Sequence, residues 1–211
     1  MLLAVTLMSE SITNQQALSV LVGKKLSIWR RAANMLVLHF GQVTRKEDKS
    51  WGEYALHVQC PWRLLKDGAI FVGASDLYSP REEAPDFDWG EWYEDRKWPD
   101  NLLEHRVFSV LKGMDTVTHS IENATEHFRV EKVQASDIGD AKLYLSGGFM
   151  WECFPDSVAG AHWRLLDIGN RKHFVVSGER STTANKGATP NGDPVRQSGN
   201  SGATEGPPSV S

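Results

Sequence analysis

A short pattern that occurs twice constrains the fold of this chain more than any other feature. Residues 60–73 read CPWRLLKDGAIFVG, and residues 162–178 read HWRLLDIGNRKHFVVSG. Each copy has a Trp-Arg-Leu-Leu segment, a polar turn and a short apolar run, which is typical of a β-hairpin. The matched tryptophans, Trp62 and Trp163, keep an offset of about 100 residues. The repetition predicts two equivalent halves.

The other predicted elements follow the same order in both parts of the chain. Residues 13–78 and residues 101–178 each predict one helix followed by five strands, the first helix being capped by Thr13 or Asn14 and the second stopped by Gly113. The charged residues 42–52 predict a loop, and Asp67-Gly68 predicts a hairpin turn. Alternation such as that of Leu36, Leu38 and Phe40 predicts strands with one buried face. The predicted fold class is α+β, a mainly antiparallel sheet built from two duplicated helix-plus-five-strand halves. The pattern leaves open one sheet, two packed sheets or a partly closed barrel.

The two ends of the chain have a different composition from the halves. Residues 1–12 predict a flexible N-terminus, and translation starts at Met1 or at Met8. The opening MLLAVTLM is too short to span a bilayer and lacks the basic region and cleavage site of a signal peptide. Residues 179–211 are dominated by Gly, Pro, Ser, Thr and Asn, which predicts a disordered tail. We therefore expect a cytoplasmic protein that does not bind membranes.

Charge and cysteine content exclude several classes of function. The formal net charge is −4, and a mildly acidic surface argues against binding the phosphates of nucleic acid. The chain has two cysteines, Cys60 and Cys153, and neither a CxxC motif nor zinc-ligand spacing. We interpret both as buried thiols without chemistry, the alternative being a nucleophile activated by a nearby base. No metal or other cofactor is expected.

The sequence contains no motif that identifies a reaction. G-x-S-x-G, the phosphate-binding GxxxxGK[ST], HExxH and G-x-G-x-x-G are all missing. His39 and His57 fall on neighbouring predicted strands, where they either meet at a metal or proton-transfer site or lie on a wet face. The repeated Arg63 and Arg164 point away from the core if the adjacent tryptophans point inward. They either pair with carboxylates or bind an anionic ligand between the halves.

The most unusual segment joins the halves at residues 79–100. Its stretch from 81 to 100, REEAPDFDWGEWYEDRKWPD, has eight carboxylates, three basic residues and five aromatic residues. Aromatic anchors within a polar rim are typical of binding hot spots, and carboxylates favour a basic partner. The alternative is a structural strap whose rings pack on the body. The candidate partner-binding residues are Asp86, Asp88, Trp89, Glu91, Trp92 and Tyr93.

The second half, LYLSGGFMWECFPDSVAGAHWRLLDIGNRKHFVVSG, resembles a family of small uncharacterised bacterial proteins. The similarity lies in residues 140–145, 153–157, 163–165 and 173–178. The stretches GEYALHVQCPWRL and IFVGASD look like the leading half of the same family. These proteins resemble immunity proteins of polymorphic toxin systems. The resemblance implies a binding protein that neutralises a protein partner, such as a basic toxin domain, and it implies no catalytic residue. A ligand-binding protein or enzyme, with a site between the halves, is the alternative.

Overall fold

The computed structural model describes residues 12–81, 101–111, 128–178 and 182–185, the last of these as backbone only. The elements within these ranges are α1 (Asn14–Ser19), β1 (Leu26–Ala32), β2 (Met35–Phe40), β3 (Thr44–Lys46), β4 (Lys49–Trp51), β5 (Tyr54–Val58), β6 (Trp62–Lys66), β7 (Ala69–Gly73), a 3-10 helix (Ala74–Tyr78), α2 (Leu102–Val110), β8 (Val130–Ala135), β9 (Ala141–Leu145), a single 3-10 turn (Ser146–Gly148), β10 (Phe149–Cys153), β11 (Ala161–Asp167), β12 (Lys172–Ser177) and β13 (Thr182–Asn185).

The strands form two main antiparallel sheets and one small hairpin. The six-stranded sheet has the order β1-β2-β5-β11-β12-β13, and the five-stranded sheet has the order β7-β6-β10-β9-β8. Strands β3 and β4 pair only with each other. The predicted α+β class with mainly antiparallel pairing is therefore confirmed. Of the alternatives left open by the sequence, the chain adopts two sheets that share one core.

Each main sheet combines strands from both parts of the chain. Strands β1, β2 and β5 are joined by the β11–β12 hairpin, whereas β8, β9 and β10 are joined by the β6–β7 hairpin. The two seams have matching registers, since Trp163 pairs with Val58 and Trp62 pairs with Cys153. The two Trp-Arg-Leu-Leu strands, β6 and β11, thus occupy equivalent places in different sheets. Strand β6 pairs with β10 of the second part, and β11 pairs with β5 of the first part.

The turns follow the local sequence. Asp67 and Gly68, between β6 and β7, have φ angles of 49° and 84°, the left-handed pair that a two-residue hairpin turn requires. This confirms the hairpin predicted from Asp-Gly. Helix α1 begins as predicted, because the Thr13 side chain accepts from the Gln16 amide and the Gln16 side chain accepts from the Thr13 amide.

One apolar cluster lies between the two sheets. The inward positions Leu36, Leu38 and Phe40 are buried as the alternation predicts. Trp62 and Trp163 are 4% and 0% exposed and belong to the same cluster. A fully buried indole N–H needs an acceptor, and Trp163 Nε1 donates to the Gly139 carbonyl at 2.7 Å. The predicted inward direction of both tryptophans is therefore confirmed.

The helices cover the two edges of the five-stranded sheet. Helix α1 packs against β8, and α2 packs against β7 and the 3-10 helix. The Asn14 side chain donates to the Ser136 carbonyl at 2.8 Å, which fixes α1 beside the end of β8. Within the described ranges, no helix is both long enough and apolar enough to cross a membrane.

Two elements differ from the sequence prediction. Residues 42–52, predicted as a charged loop, contain the β3–β4 hairpin, and Arg30 donates to the Ser50 carbonyl and hydroxyl. The predicted tail of residues 179–211 contains strand β13, which pairs with the edge strand β12. Backbone pairing at a free edge requires no apolar side chains, so composition did not reveal this strand. The rest of the tail, and residues 1–11, lie outside the described residues.

Candidate functional site

The six predicted partner-binding residues lie outside the described residues: Asp86, Asp88, Trp89, Glu91, Trp92 and Tyr93. The structure instead describes the start of the acidic-aromatic segment (residues 79–100) up to residue 81, and the residues that follow it from Asn101. The Leu102 amide donates to the Ser79 carbonyl at 2.9 Å, and Pro80 forms a β-bridge with Asn101. We call these four residues the clamp. The residues on either side of positions 81–100 therefore lie next to each other.

The clamp is built into helix α2. Asn101 is the N-cap, and its Oδ1 accepts from the Glu104 amide at 2.9 Å. Pro80 and Asn101 are both buried, so the clamp lies within the body. On the other side, the 3-10 helix ends at Tyr78 and its Ser79 amide donates to the Asp76 carbonyl. Secondary structure thus fixes both ends of the segment.

A cleft of about 220 Å³ opens next to the clamp. Its lining includes Arg31 and Asn34 from the β1–β2 region, Trp62 from β6, and Tyr78. Leu103 of α2 completes it, so both parts of the chain contribute. The volume suits a small molecule or one inserted side chain, being below the usual range of drug-sized sites.

An ion pair joins β1 to α2 at this cleft. Arg31 Nη2 lies 2.6 Å from Glu104 Oε1, and both side chains are mostly buried at 19% and 8% exposure. The second carboxylate oxygen of Glu104 is buried without a hydrogen-bond partner among the described residues, as is Asn101 Nδ2. Removing either charge would leave the other poorly solvated. The pair therefore holds β1, which lines the cleft, against α2, which carries two residues of the clamp.

The cleft also reaches a pair of thiols. Cys60, in the connection between β5 and β6, lines the cleft and is 6% exposed. Cys153, at the end of β10, is 2% exposed and interacts with Cys60 through its thiol. Both cysteines are free. The sequence indicated two buried thiols in similar places, but it gave no sign that they meet.

Arg63, the first of the duplicated arginines, has a carboxylate partner. Its Nε lies 2.5 Å from Glu152 Oε1, while Lys142 Nζ lies 3.2 Å from Oε2 of the same group. Burial raises the pKa of Glu152, but the hydrogen bonds from Arg63 and Lys142 outweigh it and leave the pKa below its usual 4.5. The guanidinium also lies over the Phe154 ring at 5.6 Å.

Arg164, the second duplicated arginine, has a different neighbour. It is exposed and pairs in register with His57 of β5, at the position that Glu152 occupies opposite Arg63. Burial lowers the pKa of His57, and the charge of Arg164 lowers it further. Among the described residues, Arg164 has no carboxylate in ion-pair distance. The two arginines lie on the outer faces of different sheets, and the described lining of the cleft includes neither.

His39 is the most perturbed group of the outer face. Its Nδ1 accepts from the Gly52 amide at 3.2 Å, so the proton of the neutral ring is on Nε2. Burial lowers the pKa of His39 to about 4, and the charges of Arg30 and His57 contribute. His39 and His57 lie on paired strands, as the sequence indicated, but His39 is buried and not on a wet face. Within residues 12–81, 101–111 and 128–178, however, no three side chains of His, Cys, Asp or Glu converge to hold a metal ion.

The chain was compared with family models, curated proteins and solved structures. No family model, no curated protein and no solved structure matches it. Function is therefore argued from the geometry of the clamp, the cleft and the outer faces.

Proposed function

We propose that this chain is a small cytoplasmic binding protein of the immunity type, which neutralises a basic protein partner through its acidic-aromatic segment. The observation that carries the proposal is the clamp, because it holds Ser79 against Leu102 and Pro80 against Asn101. A segment whose ends are already closed loses less chain entropy when a partner orders it. The clamp thus places the two connections of the segment to the body side by side.

Composition supports the same assignment. The segment carries eight carboxylates against three basic residues between positions 81 and 100, with five aromatic residues among them. Opposite charge raises the rate at which a basic partner arrives, and aromatic side chains provide most of the energy in a typical interface. An immunity protein needs both, because it must bind before the toxin acts.

The test separates aromatic from electrostatic contributions. Wild type, Trp89→Ala/Trp92→Ala and Asp86→Asn/Asp88→Asn/Glu91→Gln are used to capture partners from lysate of the source cells, after equal thermal unfolding shows that all three fold. We expect the aromatic variant to lose the partner, and the charge variant to lose most of its association rate at low salt. The captured protein is then produced alone and with this chain, and wild type is expected to relieve its toxicity. Equal capture by all three, or no relief, would overturn the proposal.

A second candidate function is binding of a small ligand in the cleft. It is favoured by one observation, the meeting of Trp62, Leu103 and the polar Asn34 at a cavity bounded by both parts of the chain. Thermal-shift screening with small carboxylates, phosphates and sugars tests it. A ligand of the cleft would stabilise wild type but not Ser75→Trp, because Ser75 is an exposed residue of the lining and an indole there fills the cavity.

We also infer that residues 13–78 and 101–178 arose by duplication and exchanged their closing hairpins. The strand orders β1-β2-β5-β11-β12 and β8-β9-β10-β6-β7 correspond strand for strand. Both first hairpins also carry a register shift at the same place, between Leu26 and Ile28 and between Val130 and Lys132. Bulges are specific local features, so their coincidence supports common descent.

The contacts between the two parts support the inference further. The Leu26 amide donates to the Phe128 carbonyl at 2.8 Å, and the Val130 amide donates to the Lys24 carbonyl at 2.9 Å. A bridge between Lys25 and Arg129 lies between these bonds. The same reciprocity recurs at the crossovers: Gln59 donates to His162, and Phe154 donates to Pro61. Reciprocal bonds of this kind are expected at a two-fold axis.

A further inference from the structure

The two cysteines come from opposite sides of the strand exchange. Cys60 lies in the crossover that carries the chain from β5 to β6, and Cys153 ends β10, the strand that β6 joins. Trp62 pairs with Cys153, and the Phe154 amide donates to the Pro61 carbonyl at 3.0 Å. These backbone contacts bring Cys60 beside Cys153, and both belong to the core cluster.

We propose that Cys60 and Cys153 form a redox-active thiol pair, which closes to a reversible disulfide by exchange with a small-molecule disulfide that enters the cleft. The cleft determines which thiol a reagent can reach, because Cys60 lines it whereas Cys153 does not. Cys60 is accordingly the thiol that meets the reagent. Cys153 is the resolving thiol behind it.

The electrostatic setting agrees with these roles. The interaction with the Cys153 thiol lowers the pKa of Cys60 below its usual 9.0, although burial and the carboxylates of Asp156 and Asp140 oppose this. The pKa of Cys153 is raised, first by its interaction with the Cys60 thiol and then by burial. Since the thiolate is the nucleophile, the first attack belongs to Cys60.

The reaction balances as ordinary thiol–disulfide exchange. The Cys60 thiolate attacks one sulfur of the small disulfide, forming a mixed disulfide and expelling one small thiolate. Cys153 gives up its proton to solvent and attacks the Cys60 sulfur. The mixed disulfide bond breaks, and the second small thiolate leaves with the electron pair of that bond. The protein loses two hydrogens, and the small disulfide is reduced to two thiols.

The product would tie the two parts of the chain at the point where they exchange hairpins. A bond between the β5–β6 crossover and the end of β10 keeps β6 in the five-stranded sheet. The reduced protein relies on strand pairing and packing for the same restraint. Oxidation is therefore expected to raise the midpoint of thermal unfolding, and a thiol reductant is expected to reverse the rise.

The experiment treats full-length native protein with 2-hydroxyethyl disulfide, which is small enough for the cleft, and measures intact mass. Wild type is expected to lose two hydrogens without a lasting adduct. Cys153→Ser is expected to stop at one mercaptoethanol adduct on Cys60, because its resolving thiol is missing. Cys60→Ser is expected to remain unmodified, because Cys153 does not line the cleft. Urea-unfolded wild type is the control for intrinsic reactivity.

Several results would overturn the proposal. If native wild type stays unmodified while the unfolded control reacts, both thiols are inert in the fold. Equal adduct formation on Cys60→Ser and Cys153→Ser would contradict the assignment of Cys60 as the attacking thiol and Cys153 as the resolving thiol. Adducts on wild type that never resolve would show that the sulfurs cannot bond. Circular dichroism of each variant establishes that it is folded before its reaction is read.

A matched pair of tryptophan variants tests the route of entry. Ser75→Trp fills the cleft from its exposed rim, whereas Glu131→Trp adds the same bulk at an exposed position of β8 that is not part of the described lining. We expect Ser75→Trp to slow the reaction of Cys60 about tenfold and Glu131→Trp to leave it unchanged, because exchange rates depend on access. Equal rates in both would overturn entry through the cleft.

Discussion

At the scale of single residues, the outer faces show what a buried titratable group requires. Glu152 is accepted in the five-stranded sheet because Arg63 and Lys142 both contact its carboxylate. The matching position in the six-stranded sheet holds His57, whose burial is less costly because its neutral form carries no charge. Equivalent backbone positions thus hold either a compensated charge or a neutral ring.

The neutral state of His39 predicts how stability depends on pH. Its pKa is about 4 in the folded protein against 6.5 ordinarily, so between these values the unfolded chain binds the extra proton. The stabilisation is complete above pH 6.5 and is lost as the pH falls toward 4. Protonation of His39 is expected to lower the free energy of unfolding by on the order of 3 kcal/mol over this range of pH. Urea unfolding at several pH values measures it.

The matched variants of this experiment are His39→Gln and His173→Gln. Glutamine keeps an acceptor for the Gly52 amide but does not titrate, so His39→Gln is expected to reduce the dependence on pH and to leave the part that is due to His57. His173 is a half-buried histidine in β12 of the same sheet and serves as the control. If both variants keep the wild-type slope, His39 is not the group responsible.

At the scale of elements, Asn101 has two roles, because it is the N-cap of α2 and one of the four residues of the clamp. Asn101→Ala removes the acceptor of the Glu104 amide, which is expected to cost about 1 kcal/mol of unfolding free energy. Asn101→Ser keeps a capping oxygen and is expected to recover most of it. Hydrogen exchange at the Glu104 amide reports the cap directly. Unchanged exchange in the alanine variant would contradict the role assigned to Asn101.

The sequence predicted most elements because their signals are local. The alternation of Leu36, Leu38 and Phe40 and the Asp67-Gly68 turn each depend on neighbours in the chain. Helix α2 was also predicted, although it ends at Val110 rather than at the expected Gly113, which lies outside the described residues. Signals of this kind determine where an element begins, which face is buried and how the chain turns.

What the sequence could not predict is which strands become neighbours. Nothing in the Trp-Arg-Leu-Leu pattern states that β6 pairs with β10 or that β11 pairs with β5, since those choices depend on how the whole core closes. The contact of Cys60 with Cys153 follows from that choice, and so does the cleft. Strands β3 and β4 were likewise not predicted, because their residues are mostly charged and the hairpin depends on tertiary contacts.

At the scale of the whole molecule, the exchanged hairpins make each sheet depend on both parts of the chain. Strand β5 pairs with β11 over five residues, and β10 pairs with β6 over five residues. Without its borrowed hairpin, each three-stranded portion would expose an unpaired edge and one side of the core. The hairpin alone would be even less stable, since isolated hairpins are marginal in water. Neither part should therefore fold alone as a monomer.

This dependence predicts that two separate chains, residues 1–81 and 101–211, will assemble when produced together. We expect a one-to-one complex with cooperative thermal unfolding, and aggregation or self-association of either chain alone. Leu165→Asp should abolish the complex, because Leu165 is buried in β11 where it faces the core. Arg164→Ala, the adjacent exposed residue on the opposite face, should leave it intact. Size-exclusion chromatography with light scattering distinguishes these outcomes. A stable, cooperatively folded monomer of either chain would mean that the hairpin of that part can close its own sheet, and the exchange would then be a property of the connected chain alone.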